Sequence, residues 1–124
     1  MESRGSFEMH DGVAVFRPIG EHTLVEIVDR VKDAIARCRD QNQRGLLVTA
    51  RGVYGVSVPT LIDRFLAMED WADAADGMVV VALVVHPQYI HPRKFGVKVA
   101  ADLGLTADVF TSEVNARAWL ASTI

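Results

Sequence analysis

The sequence predicts an α/β fold: a mostly parallel sheet of about five strands, an antiparallel hairpin at the N-terminal end, and about four helices. Three observations lead there. Residues 78–85 are apolar at nearly every position without alternating, as expected of a strand covered on both faces in a parallel sheet. Stretches of helical spacing alternate with short apolar runs, which calls for right-handed crossovers between parallel strands. Asp11-Gly12, set between two short extended runs, is a favoured two-residue hairpin turn.

Taken in order, residues 1–6 read as a loose tail and 7–10 as a short strand. Residues 13–19 form its hairpin partner, with Val13, Val15 and Arg17 on one face and Ala14 and Phe16 on the other. Pro18 either ends this strand or sits where no N–H is needed. Thr23 and Glu26 have the spacing of a capping box. Behind it Leu24, Val28, Val31, Ile35 and Cys38 make a helical stripe, widened by Ile27 and Ala34, with Gly45 as its stop. Glu26–Arg30 and Asp33–Arg37 are i,i+4 pairs in the favourable order.

Residues 46–50 read as a short buried strand and 51–57 as a loop with two glycines. Pro59 suits the first turn of a second helix, whose buried face is expected to be Leu61, Ile62, Phe65, Leu66, Met68 and Ala72, ended by Asp76-Gly77. Pro92 opens a third helix carrying Phe95, Val99 and Leu103, closed by Gly104. Residues 107–110 are a last strand, and Thr111 or Ser112 caps a final helix that turns Val114, Ala118 and Leu120 or Trp119 inward.

The chain has 124 residues, of which half are hydrophobic and 23% charged, so it can bury a core as one domain spanning 1–124 and is not disordered. A net charge of -3, with no run of five or six like charges, implies neither a nucleic-acid nor a membrane partner. The longest apolar run is too short to span a bilayer, and residues 1–5 begin no signal core, so a cytoplasmic location is expected. Cys38, the single cysteine, can form neither an intramolecular disulfide nor a zinc half-site and is expected in the core. No cofactor or metal motif is present, and no nucleophile elbow or paired carboxylates, so an enzyme is not expected.

The helix-strand run 24–48, the loop and helix after it, and the strand 79–85 together resemble a STAS domain, the fold of bacterial anti-sigma-factor antagonists. Residues 81–120, with a short strand ending in Phe110, a capped helix and Ala118-Trp119-Leu120, are closer to the SpoIIAA-like (STAS/SEC14-like) branch. The resemblance implies a non-catalytic regulatory or protein-interaction module, with a partner protein or a homodimer. Likeness to lipid-transfer domains adds the alternative of a small apolar or anionic ligand. Antagonists carry an Asp-Ser pair at the start of the second helix, the serine being phosphorylated by a kinase. Ser57 and Val58 stand there in this chain, so that switch is not carried over.

Candidate site residues gather at the C-terminal edge of the predicted sheet, where open α/β sheets bind ligands. Ser57 and Thr60 precede the second helix: the simple role is an N-cap, and the alternatives are anion binding or phosphorylation. Arg51 would hold an anion and Tyr54 stack or hydrogen-bond, unless their loop is only a glycine-dependent turn. His86 and His91, each before a proline, are loop residues or ligand contacts, without a third donor for a metal. Arg93, Lys94 and Lys98 form a basic face on the third helix, solvated or open to an acidic partner. Trp71 falls near the edge of its helix's apolar stripe and would be a contact hot spot if exposed.

Overall fold

The computed structural model describes residues 4–10 and 12–124. In chain order the elements are β1 (Gly5–His10), β2 (Val13–Glu21), α1 (Leu24–Asp40), β3 (Gly45–Thr49), β4 (Gly52–Tyr54), α2 (Leu61–Ala75), β5 (Val80–Val84), a 3-10 turn (Pro87–Tyr89), α3 (Phe95–Asp102), β6 (Ala107–Phe110) and α4 (Glu113–Thr123). The sheet runs β1-β2-β3-β5-β6, antiparallel between β1 and β2 and parallel elsewhere, with β4 extending the far end of β2.

Period-2 alternation divides the strands between two helical layers. Ala14, Phe16, Leu46, Val48 and Val81 face α1, α2 and α3, while Val15, Leu47, Ala82 and Val84 face Ala116 and Leu120 of α4. β5 lies between β3 and β6 with both faces covered, which accounts for its unbroken apolar run. Met78 lies outside it and is exposed.

β1 starts at Gly5, two residues before the expected start, so Gly5 and Ser6 belong to the sheet rather than to a tail. Residues 1–3 and Asp11 lie outside the described residues, and with Asp11 half of the expected turn. Gly12 has the positive φ that such a turn needs, and His10 pairs with Val13 across it. β2 runs on through Pro18 to Glu21. Pairing with β3 ends at Phe16 and pairing with β4 begins at Ile19, so the missing N–H of Pro18 falls in the gap.

The capping box at α1 is formed: Thr23 Oγ1 accepts from Glu26 N at 3.1 Å, and Glu26 Oε1 accepts from Thr23 N at 2.9 Å. Val31, Ala34, Ile35 and Cys38 are buried as expected. The helix stops at Asp40, not near Gly45, because Asn42 already adopts a left-handed conformation. The expected i,i+4 ion pairs do not form. Arg30 instead donates to His22 Nε2 and the Arg4 carbonyl, and Arg37 lies over the Phe7 ring at 4.2 Å. His22 is buried, and its Nδ1–H donates to the Gly20 carbonyl at 3.1 Å, which leaves Nε2 as the acceptor for Arg30 at 2.9 Å.

The largest departure is the rotation of α2. Its buried residues are Ala67, Trp71, Ala74 and Ala75, whereas Leu61, Ile62, Phe65 and Leu66 face outward. Small alanines let α2 approach its neighbours α1 and α3 closely, and the Trp71 indole N–H donates to the Val28 carbonyl of α1 at 3.0 Å. α3 begins at Phe95, after a left-handed Lys94, and buries Ala100 rather than Leu103. In α4, capped by Ser112, Ala116 and Leu120 point inward, while Val114 and Ala118 are exposed. Glu113 anchors that helix to β2: it accepts from Arg17 at 2.5 and 3.1 Å and from Arg117 at 2.9 Å.

Candidate functional site

The residues singled out in the sequence do not converge on one hollow. Arg51 reaches across the sheet edge and donates to the Thr111 carbonyl at 2.6 Å. Its own carbonyl accepts from His86 Nε2 at 3.1 Å, so these two residues tie three loops together. Tyr54, on β4, points into solvent. Ser57 is exposed and is not the N-cap. That role belongs to Thr60, whose Oγ1 accepts from Asp63 N at 3.1 Å while Asp63 accepts from Thr60 N at 2.9 Å. Both capping partners fall at positions N-cap and N3, and Pro59 precedes the helix instead of starting it. Lys94 pairs with Asp108 at 2.7 Å, and exposed Arg93 precedes α3, so of the expected basic face only Lys98 lies on the helix itself.

Of the candidates, His91, Lys94 and Trp71 line the principal cavity, a space of about 170 Å³ between α1, α2, α3 and the sheet. Its floor is Val81, Leu83, Ala107 and Val109, and its walls include Val28, Val31, Ala67, Met68, Trp71 and Val97. The space exists because small side chains, Ala67, Gly96 and Ala107, stand where larger ones would meet. Nearly all of its surface is apolar.

Two hydrogen bonds join polar groups of the lining. Tyr89 Oη donates to the Val56 carbonyl at 2.7 Å, and Arg64 Nη1 donates to the Tyr89 carbonyl at 3.0 Å. Together these bonds tie the loop before α2, the first turn of α2 and the segment after β5 into one rim. Arg64 has no carboxylate within ion-pair distance among the described residues, and its Nε is buried without a hydrogen-bond partner. Burial pushes its guanidinium pKa down. His91 Nδ1 accepts from Arg93 N at 3.0 Å, so any proton it carries in the neutral form is on Nε2. Among the described residues no cluster of three His, Cys, Asp or Glu side chains is placed to hold a metal ion. Cys38 is fully buried, and burial pushes its thiol up to about 12.

A second feature lies on the opposite side of the same helix. Val58, Leu61, Ile62, Phe65 and Leu66 form an apolar face, with Ile62 71% and Leu66 52% exposed. The helix also carries Asp63, Glu69, Asp70 and Asp73, with Arg64 as its single basic residue. Sequence reasoning assigned the apolar face to the core and passed over Arg64 and Tyr89. The signal it had was a single arginine on the first turn of a helix whose other charged residues are all acidic. No helix among the described residues is long and apolar enough to cross a membrane.

No protein family and no curated protein matches the chain. Among solved structures the chain is similar to an anti-sigma factor antagonist from Mycobacterium paratuberculosis, with 16% identity, a TM-score of 0.54, and coverage of 94% of this chain and 92% of that one. It is also similar to the anti-sigma factor antagonist SpoIIAA in its unphosphorylated form, with 16% identity and coverage of 97% and 98%, but the TM-score of 0.47 gives that likeness no weight. The chain therefore has the STAS-type α/β fold that the sequence resemblance implied.

Proposed function

We propose that residues 1–124 act as one cytoplasmic, non-catalytic regulatory domain that docks a partner protein on the outer face of α2. The carrying observation is the apolar face Leu61, Ile62, Phe65 and Leu66 on a helix whose other side is already packed, with exposed Val58 just ahead of it. Leaving five large apolar side chains contiguous and wet is costly for a free protein, and such patches mark interaction sites. The acidic residues on the same helix, Glu69, Asp70 and Asp73 above all, fit a partner with an apolar centre and a basic rim. The fold shared with an anti-sigma factor antagonist supports a regulatory role of this kind.

The test is a photo-crosslinker placed at position 62 or 66 and, as control, at exposed Val114 on the other side of the sheet. Adducts with a protein other than this chain from 62 and 66, absent from 114 and abolished by Leu61→Asp, are expected. Equal labelling from all three positions contradicts the reading. Adducts with a second copy would make the face a homodimer interface instead.

A second reading, a small-molecule binder, is favoured by the apolar cavity beneath α2. The residues that would serve it are those of the cavity and its rim. Arg51, Tyr54, Ser57, Thr60 and His86 are not among its lining, and of the expected ligand contacts at the sheet edge His91 alone carries over, beside Lys94 and Trp71. Ser57, exposed ahead of the α2 cap, is the more accessible of the two hydroxyls for phosphorylation, since the Thr60 hydroxyl is held in the capping box.

A further inference from the structure

We propose that the cavity between α2, α3 and the sheet binds a small organic monocarboxylate, its apolar body filling the cavity and its carboxylate held by the Arg64 guanidinium. This deepens the second reading above and rests on it. Two observations meet at one place. The first is the size and character of the space: about 170 Å³, almost wholly apolar in lining. An engineered apolar cavity of about 150 Å³ stays dry and holds benzene, so the body of the ligand is about the size of one six-membered ring.

The second is an uncompensated cation on the lining. A guanidinium has five N–H donors. The described residues provide Arg64 with one hydrogen bond, to the Tyr89 carbonyl, and leave Nε buried and unpartnered. The other charged groups of the lining are already engaged: Lys94 with Asp108, and Asp63 in the α2 capping box. A half-buried charge without a counter-ion is unfavourable, and a carboxylate is the planar anion that matches its fork. A ligand that supplies a carboxylate gives the Arg64 guanidinium a counter-ion while its apolar part fills space that the protein leaves empty. The bond from Arg64 to Tyr89 fixes the guanidinium on the cavity lining, so the carboxylate is met there and the ring takes the apolar remainder.

The probe pair is phenylacetate and phenylacetamide, alike in shape and different in charge, followed by NMR of the full chain. Phenylacetate is expected to shift Ala67, Val97 and the Trp71 indole, and to leave the Trp119 indole unmoved, because Trp119 packs under α4 on the opposite face. The amide is expected to bind at least about tenfold more weakly, and Arg64→Gln to remove that preference, since a hydrogen bond to a charged group is worth about that factor. The comparison of the two probes on the unaltered protein decides the matter even if Arg64→Gln does not fold. Equal affinity for acid and amide at the cavity residues overturns the carboxylate and leaves a neutral apolar ligand. No shift of the cavity residues by either probe at millimolar concentration overturns the ligand site itself. Neither result touches the docking face, which is read from the other side of α2.

Discussion

Trp71 and Ile62 make opposite predictions on one helix. Trp71 is 7% exposed, fills the junction of α1 and α2, and donates its indole N–H to Val28, so Trp71→Ala removes a large buried ring and a hydrogen bond. Aromatic-to-alanine changes at buried sites cost about 3–5 kcal/mol. Val28 O also lies within α1, so the lost indole bond does not by itself leave an orphaned acceptor in a helix interior. With an m-value of about 2 kcal/mol per molar urea, a loss of about 4 kcal/mol lowers the unfolding midpoint by about 2 M. Ile62→Ala and Leu66→Ala, on the outer face, cost no more than about 0.5 kcal/mol each and leave the midpoint nearly where it was. Equilibrium urea unfolding followed by circular dichroism measures all three. A midpoint that falls steeply for Ile62→Ala and Leu66→Ala, and little for Trp71→Ala, would mean that α2 is packed by its larger apolar stripe and would refute the rotation described here.

Three further outcomes follow from the same structure. The Arg17 side chain, and then Arg117, hold the Glu113 carboxyl below its ordinary value of 4.5. Stability from this group is present above that value and is lost as pH falls through the lowered one, so the difference between the protein and Glu113→Gln should be largest near neutral pH and close on acidification below the ordinary carboxyl value. A difference independent of pH would remove Glu113 from the account. Cys38 should resist a thiol reagent at pH about 8 in the folded protein and react at once in denaturant, because burial keeps it protonated; fast labelling of the native chain would show α1 to be packed otherwise. His22→Ala should cost about 2–4 kcal/mol, since it empties a buried site and strips Gly20 and Arg30 of partners. A near-neutral midpoint in urea would contradict the buried clamp.

The strands and α1 were legible because their signals are local. The short apolar run of β5 favours a strand covered on both faces, and Thr23 with Glu26 marks the start of α1 by spacing alone. α2 was legible as a helix but not in its phase. It carries two apolar stripes, one of large side chains at 61, 62, 65 and 66 and one of alanines with Trp71, and hydropathy favours the larger. The choice between them is made by close approach to α1 and α3, where alanine fits and leucine does not. β4 was read as loop because Gly52-Val53-Tyr54 is short, and it becomes a strand only by pairing with the extension of β2 beyond Pro18. The cavity rim joins Arg64 to Tyr89, 25 positions apart, and Tyr89 to Val56, 33 apart, so it exists only once the fold has brought them together. Arg51 and His86 were rightly placed at the same sheet edge, but their polar atoms are turned to backbone carbonyls and not to a shared hollow.

One side of α2 faces a cavity and the other faces water. Methyl NMR of the dilute monomeric chain with a soluble paramagnetic agent reads that directly. Strong broadening of the Ile62 and Leu66 methyl signals, alongside protected Val31 and Ile35, is the predicted pattern. Ile62 and Leu66 as protected as Ile35 would place that stripe inside the protein, and the docking face would not exist.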